Sequence, residues 1–423
     1  MYRYSELPSG LRVVSARMPH LASVSLGIWV GTGGRYEAAD NNGAAHFIEH
    51  MLFKGTRRRS AARISQDVEG VGGYLNAFTD EELTCFYSRA VAARMPDLLD
   101  VLLDMFLESR FSPAEVEKER EVILEEQSMY LDQPAELVHD VLNATQFPRH
   151  PLGRPVIGTP RSVRSLGRKE LLAFLGEQYV AGRTVVSAAG NVDHDDLVAR
   201  LTRIDPMFRR APIRTPAPAP APRGFPVVRL RTRETEQTHL AIGFRTLPRT
   251  DPRRFALRLL NVVLGENMSS RLFQVVREDN GLAYNIQSTV SAWSDCGDLV
   301  VSAGLDDRQL ERALRLALGE VRRLASRAVG KAELLRAKDY ATGQADLALE
   351  GSEQVMMWLG EQVLGHGRVT PPEQSREKVA AVTAAEIRAV AAEFLQPGNL
   401  SLALVSTRDS DAGLNRILHR AFS

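Results

Sequence analysis

The sequence predicts an α+β protein of two similar domains, each a mostly antiparallel sheet with helices packed on one face. Three observations carry this. The chain has 423 residues, too many for one ordinary domain. Strand-like and helix-like segments follow one order in both halves, which points to internal duplication. Residues 211–226 (APIRTPAPAPAPRGFP) fall almost at mid-chain and pack as neither helix nor sheet, so they read as an extended, semi-rigid linker. The domains expected are 1–210 and 227–423.

In the first half, residues 10–15 (GLRVVS) and 23–31 (SVSLGIWVG) are β-branched runs between turn signals and read as strands. A turn at 32–35 leads to a helix near 44–53, capped by Asn41 or Asn42 and stopped at Lys54-Gly55. Residues 64–71 read as a short helix that Gly72-Gly73 breaks, and 74–78 and 84–89 as strands. Helix periodicity covers 92–108. Ser112-Pro113 opens an acidic helix running to about Leu131. Helices near 134–145, 168–178 and 195–203 and a strand at 184–189 complete this half. After the linker come strands at 227–231 and 239–244, helices near 251–263 and 271–278, and strands at 283–292 and 298–303. Helices at 308–325, 331–348 and 353–364, a strand at 400–405 and a last helix follow.

Hydrophobic residues make up 44% and charged residues 25%, as in soluble globular proteins. A net charge of +1 gives no electrostatic case for nucleic acid or an anionic membrane. Cys85 and Cys296 are too few for a disulfide framework and fit a reducing compartment. No signal-peptide h-region is visible, Glu6 argues against a transit peptide, and no apolar run reaches 18 residues. The expectation is a cytoplasmic, bacterial protein without membrane contact.

The chemistry concentrates in His46-Phe47-Ile48-Glu49-His50, an H-x-x-E-H pattern. On a helix His46 and His50 lie one turn apart on one face, with Glu49 at its edge. Two neutral imidazoles so placed can hold one Zn²⁺, and the carboxylate can reach water on the metal. A catalytic zinc takes a third protein ligand, and the acidic helix at 113–131 is its best source. The second half has no such motif; Arg258-Leu259-Leu260-Asn261-Val262 stands about there.

Residues 43–56 (GAAHFIEHMLFKGT) closely resemble the pitrilysin/insulinase family of inverted-motif zinc peptidases, most of all the half-length branch that contains mitochondrial processing peptidase. The segments Asn76-Ala77-Phe78-Thr79, 119–126 (EREVILEE), 150–153 (HPLG), Ser270-Arg271-Leu272-Phe273 and Gly281-Leu282-Ala283-Tyr284 extend the resemblance. It implies one Zn²⁺ per chain, with a glutamate 76 positions beyond the second histidine as third ligand; 126 − 50 = 76 names Glu126 and rejects its neighbour Glu125. Glu119, two turns earlier on the same face, is implied to hold a ligand histidine by its other ring nitrogen, where the plain alternative is a solvated charge. Glu49 is implied as general base, activating a zinc-bound water for peptide hydrolysis. Arg277 and Tyr284 are implied to contact substrate, Tyr284 at the oxyanion, and Asn76 to lie on the strand that binds substrate as an added strand. His150 is read as a structural turn.

By the same resemblance the domains face each other as a clamshell, enclosing a chamber where a zinc endopeptidase cleaves peptides or unfolded segments. A homodimer is expected, a heterodimer with a related chain being the variant some relatives use. The glycine-rich loop of the non-catalytic mitochondrial subunit is missing from 264–270, so its presequence recognition does not carry over. The rival is a scaffold subunit that has lost catalysis.

Overall fold

Eleven strands form two sheets in the computed structural model, which describes residues 2–422. The first half runs β1 (Tyr2–Glu6), β2 (Arg12–Arg17), β3 (Ser23–Val30), α1 (Ala44–Leu52), α2 (Ala61–Glu69), β4 (Tyr74–Thr79), β5 (Thr84–Val91), α3 (Met95–Glu108), α4 (Pro113–Leu131), α5 (Pro134–Gln146), α6 (Pro160–Ser165), α7 (Arg168–Gln178), β6 (Thr184–Gly190) and α8 (His194–Ile204). The second runs β7 (Val227–Thr232), β8 (Thr238–Thr246), α9 (Arg254–Asn261), β9 (Ala283–Ala292), β10 (Gly297–Leu305), α10 (Leu310–Ser326), α11 (Lys331–Ala348), α12 (Ser352–His366), α13 (Pro372–Ala381), α14 (Ala384–Phe394), β11 (Leu400–Ser406) and α15 (Leu414–Phe422). Residues 210–223 carry no regular structure, as their prolines demand.

Two units emerge, and neither is contiguous. The first comprises the chain up to Ser128, Arg154–Ala217 and Asp346–Val369; the second comprises Met129–Gly153, Pro218–Ala345 and the chain from Thr370 onwards. A cut at the linker puts α5 in the first domain and α12 in the second. Packing puts them the other way round, because the apolar side of α5 (Leu137, Val138, Leu142) is buried against Ala241 of β8, Val300 of β10 and Ala403 and Val405 of β11. Likewise α12 buries Val355, Met356, Leu359 and Val363 against Val14, Trp29, Cys85 and Val185.

Both sheets are mostly antiparallel. The first has the order β1-β2-β6-β3-β5-β4, with β2 and β6 its parallel pair; the second is β7-β11-β8-β10-β9, with β7 and β11 its parallel pair. In the first unit Leu26, Ile28 and Val30 of β3 face the main helical layer of α1, α3 and α7. Trp29 points the other way, towards α12. Both faces of β3 are buried, Val24, Leu26, Ile28 and Val30 against that layer and Ser25, Gly27 and Trp29 beneath α12. The sequence expectation gave each sheet one helical face; the exchanged helix covers the other. Among the described residues no helix is long and apolar enough to cross a membrane.

Candidate metal centre

Helix α1 starts at Gly43, whose φ of 95° needs a residue without Cβ. Neither asparagine caps it. Buried Glu37 does so instead: its carboxylate accepts from Gly43 N–H at 2.8 Å and Ala45 N–H at 2.7 Å, while Asn42 turns its amide onto Glu37 and Pro155 O. Phe47, Ile48, Met51 and Leu52 are buried in the core, so the opposite face holds His46 and His50 in place, ring centroids 4.6 Å apart.

Helix α4 brings Glu126 to them. Its Oε1 is 3.9 Å from His46 Nε2 and its Oε2 3.5 Å from His50 Nε2. One ligand atom from each of the three residues lies within 4.8 Å of the others; among the described residues this is the one such His/Cys/Asp/Glu group. These gaps are too long for good hydrogen bonds and close to the ~3.3 Å between two donors of one tetrahedral zinc. The donor set, two imidazoles and a carboxylate, fits zinc. Burial and the neighbouring His50 push the His46 pKa down to about 3, which keeps the ring neutral and able to ligate. Glu125 is outside the group.

Glu119 lies buried beneath His50, Oε1 at 2.9 Å from its Nδ1. Lys54 Nζ pairs with the other carboxylate oxygen at 2.7 Å. Burial alone would raise the Glu119 carboxyl; the bond to His50 and the Lys54 charge outweigh it, so the group stays below its ordinary value and ionised. It therefore accepts from Nδ1–H and leaves Nε2 of His50 as the ligating atom. Lys54 entered the sequence reading only as a helix stop.

Glu49 is half-buried beside the histidines. Burial raises its carboxyl above the ordinary value, Glu126 adding to this and a hydrogen bond from Thr79 Oγ1 (2.5 Å) opposing it. Thr79, Lys54 and Glu37 were the residues sequence reasoning missed. Thr79 closes the segment Asn76-Ala77-Phe78-Thr79, but nothing in its spacing points to Glu49. Asn76 lies exposed on β4, the edge strand of its sheet, its Oδ1 accepting from Ala77 N–H.

In the second unit Arg277 lies in the last turn of a π-helical stretch, Phe273–Glu278, where the sequence suggested an α-helix. Its guanidinium lies 5.2 Å from the ring centroid of Tyr284, which is 80% exposed on β9. The structure thus brings this pair together, a cation over an aromatic face. His150 Nδ1 accepts from Leu152 N–H, in keeping with a structural turn.

A duplicated α+β chain with a two-histidine, one-carboxylate cluster in one unit has the features of a metallopeptidase scaffold. Residues 12–160 match the insulinase family (peptidase family M16) and residues 165–340 the peptidase M16 inactive domain. The chain is 40% identical to an uncharacterized zinc protease of Mycobacterium tuberculosis over 93% of its own length and 90% of the relative's. Similar proteins include uncharacterized zinc proteases of Streptomyces coelicolor (39%; 93% and 87% covered) and Bacillus subtilis (35%; 94% and 96%). The chain belongs to the insulinase family of peptidases, family M16. Its fold is also that of a protease from Helicobacter pylori (TM-score 0.90, 20% identity, 96% of this chain and 99% of that one) and of a peptidase M16 inactive domain from Pseudomonas fluorescens (0.89, 18%, 97% and 99%).

Proposed function

We propose that this protein is a zinc-dependent endopeptidase acting on peptides or unfolded segments, with His46, His50 and Glu126 as metal ligands. The observation that carries the reading is the convergence of those three side chains, from two helices, on one point beside Glu49. Zinc held there supplies Lewis acidity towards the scissile carbonyl and lowers the pKa of water to about 7. Glu49 takes the proton of the attacking water and returns it to the leaving amine, with no covalent enzyme intermediate. The raised affinity of its half-buried carboxyl for protons suits both halves of that task. Glu119 orients His50, and Lys54 keeps Glu119 ionised. The open edge of β4, with Asn76, takes the substrate as an added strand. Arg277 and Tyr284 contact the substrate, Tyr284 as oxyanion donor; the exposure of Tyr284 suits that role.

The deciding experiment measures zinc content and cleavage of a quenched fluorescent peptide library by the wild type and Glu49→Gln. The expected result is one zinc per chain in both and activity ~10²–10⁴-fold lower in the variant. Stoichiometric zinc without cleavage by the lone chain would point to a missing partner chain. A chain without zinc would remove the metal assignment and leave the scaffold reading.

A further inference from the structure

Thr79 touches the side chain to which the reading above assigns proton transfer. Its Oγ1 donates to Glu49 Oε2 at 2.5 Å, and a hydroxyl has one proton to give. The neighbouring Thr84 hydroxyl, 3.4 Å away, directs its own proton to the carbonyl of Thr32 at 3.0 Å. Thr79 is therefore the donor to Glu49, and Thr84 does not compete for that carboxylate. The bond engages Oε2; among the described residues Glu49 Oε1 receives no hydrogen bond and stays available for water.

The placement of Thr79 is itself over-determined. It closes β4 opposite Thr84, and Asp80 N–H bonds to Leu83 O to form the turn. That turn is pinned from outside: Gly34 N–H donates to Asp80 O, Arg35 N–H to Glu81 O, and the buried Arg35 guanidinium pairs with buried Glu82 at 2.7 Å. One rigid hairpin thus offers an open strand edge on one side and a single hydroxyl to Glu49 on the other.

We propose that Thr79 is a positioning residue. Its hydroxyl fixes the orientation of Glu49 and couples that orientation to the seating of β4, the edge strand. The inference rests on the proposed role of Glu49 as base. It goes beyond that role by naming what aims the base and through which element a peptide laid on β4 would be sensed.

The test uses the full chain loaded with zinc, with Thr79→Val, which keeps the shape and removes the hydroxyl, and Thr79→Ser, which restores it. Thr79→Val should lower kcat roughly 10–100-fold, a loss typical of removing a supporting hydrogen-bond partner, at nearly unchanged KM and one zinc per chain. Thr79→Ser should recover most of that loss. Near-normal kcat in Thr79→Val, or a Ser variant as impaired as Val, would overturn the proposal. A second readout needs no turnover: thermal midpoints of Thr79→Val, Glu49→Ala and the double variant. The two single losses should not add, because each removes the same bond; additive losses would count against the contact. Should Glu49→Gln cleave normally, the base assignment fails by itself, and the midpoints still judge whether Thr79 holds Glu49.

Discussion

The two units use one scaffold to opposite ends. Strands β2-β6-β3-β5-β4 of the first correspond to β7-β11-β8-β10-β9 of the second, parallel pair included. Each third strand has a glycine opposite a serine, Gly27 with Ser187 and Gly243 with Ser401, under a crossing helix. The units part at the helix after that strand. On α1, His46 and His50 aim ligand nitrogens at a point shared with Glu126. On α9 the polar groups close on one another: Arg258 and Asn261 both bind Glu266, and Asn261 Oδ1 accepts from Ser288 Oγ at 2.7 Å. A helix in this place offers a metal site only where its polar atoms are left unsaturated and convergent; local saturation turns the same helix into plain structure.

The largest expected effect tests that contrast. His50→Ala or Glu126→Ala should abolish stoichiometric zinc, measured by atomic absorption after dialysis. Glu119→Ala should weaken zinc ~10–100-fold, since it frees the ring it orients. Asn261→Ala should leave zinc content untouched while lowering stability by about 1–3 kcal/mol, because Ser288 and Glu266 lose a buried partner. Zinc lost from Asn261→Ala would break the comparison, since it would make the second unit part of the metal's support.

Much of the first unit's candidate site was legible: two histidines at i and i+4 on one helix face, and, through the family resemblance, a carboxylate on the helix that Pro113 opens. The linker and most of the order of elements were legible too, but β1, α6, α13 and α14 were not foreseen. The exchange of α5 and α12 was not. Periodicity shows that Leu137, Val138 and Leu142 will be buried, but one apolar stripe fits any sheet, so nothing local says which. The start of α1 misled for a related reason. Asn42 is a good cap by type, yet the N–H groups went to Glu37, five residues earlier in a loop that no helix rule covers. Thr79 and Lys54 act through single contacts made by folding, and such contacts leave no pattern in a chain read alone.

What the units share is as testable as what divides them. A Cβ at Gly27 would lie 2.5 Å from Met356 Sδ and 2.8 Å from Trp29 Nε1; at Gly243 it would meet the Gln146 amide and, at 2.9 Å, Leu142. Both glycines let an exchanged helix sit close on its sheet. Gly27→Ala and Gly243→Ala should each destabilise by about 1–3 kcal/mol, the usual cost of overpacking, read from thermal unfolding. If only one did so, the packing role would belong to one unit rather than to the repeated design.

A last effect, read by pH, asks whether a buried carboxyl behaves alike in the two units. Asp298 of β10 is buried opposite Arg245 of β8, which stacks 3.9 Å from the centroid of Phe147 and also lies near Cys296 and Asp295. Burial pushes the Asp298 pKa up to about 7, although Arg245 and Ser291 pull it down. A carboxyl raised above its unfolded value stabilises fully below the unfolded pKa, near 4, and that contribution is lost as pH rises through 7. Glu37 of the first unit, buried and also at about 7, has the same sign, so Asp298→Asn should remove only part of the decline. The stability of the wild type minus that of Asp298→Asn should therefore fall as pH goes from 5 to 8, by at most ~1.4 kcal/mol per pH unit. A difference that grows over that range would mean that the charge of Arg245 outweighs burial. Asp298 would then be held ionised, and the buried carboxyls of the two units, Asp298 and Glu37, would differ in kind.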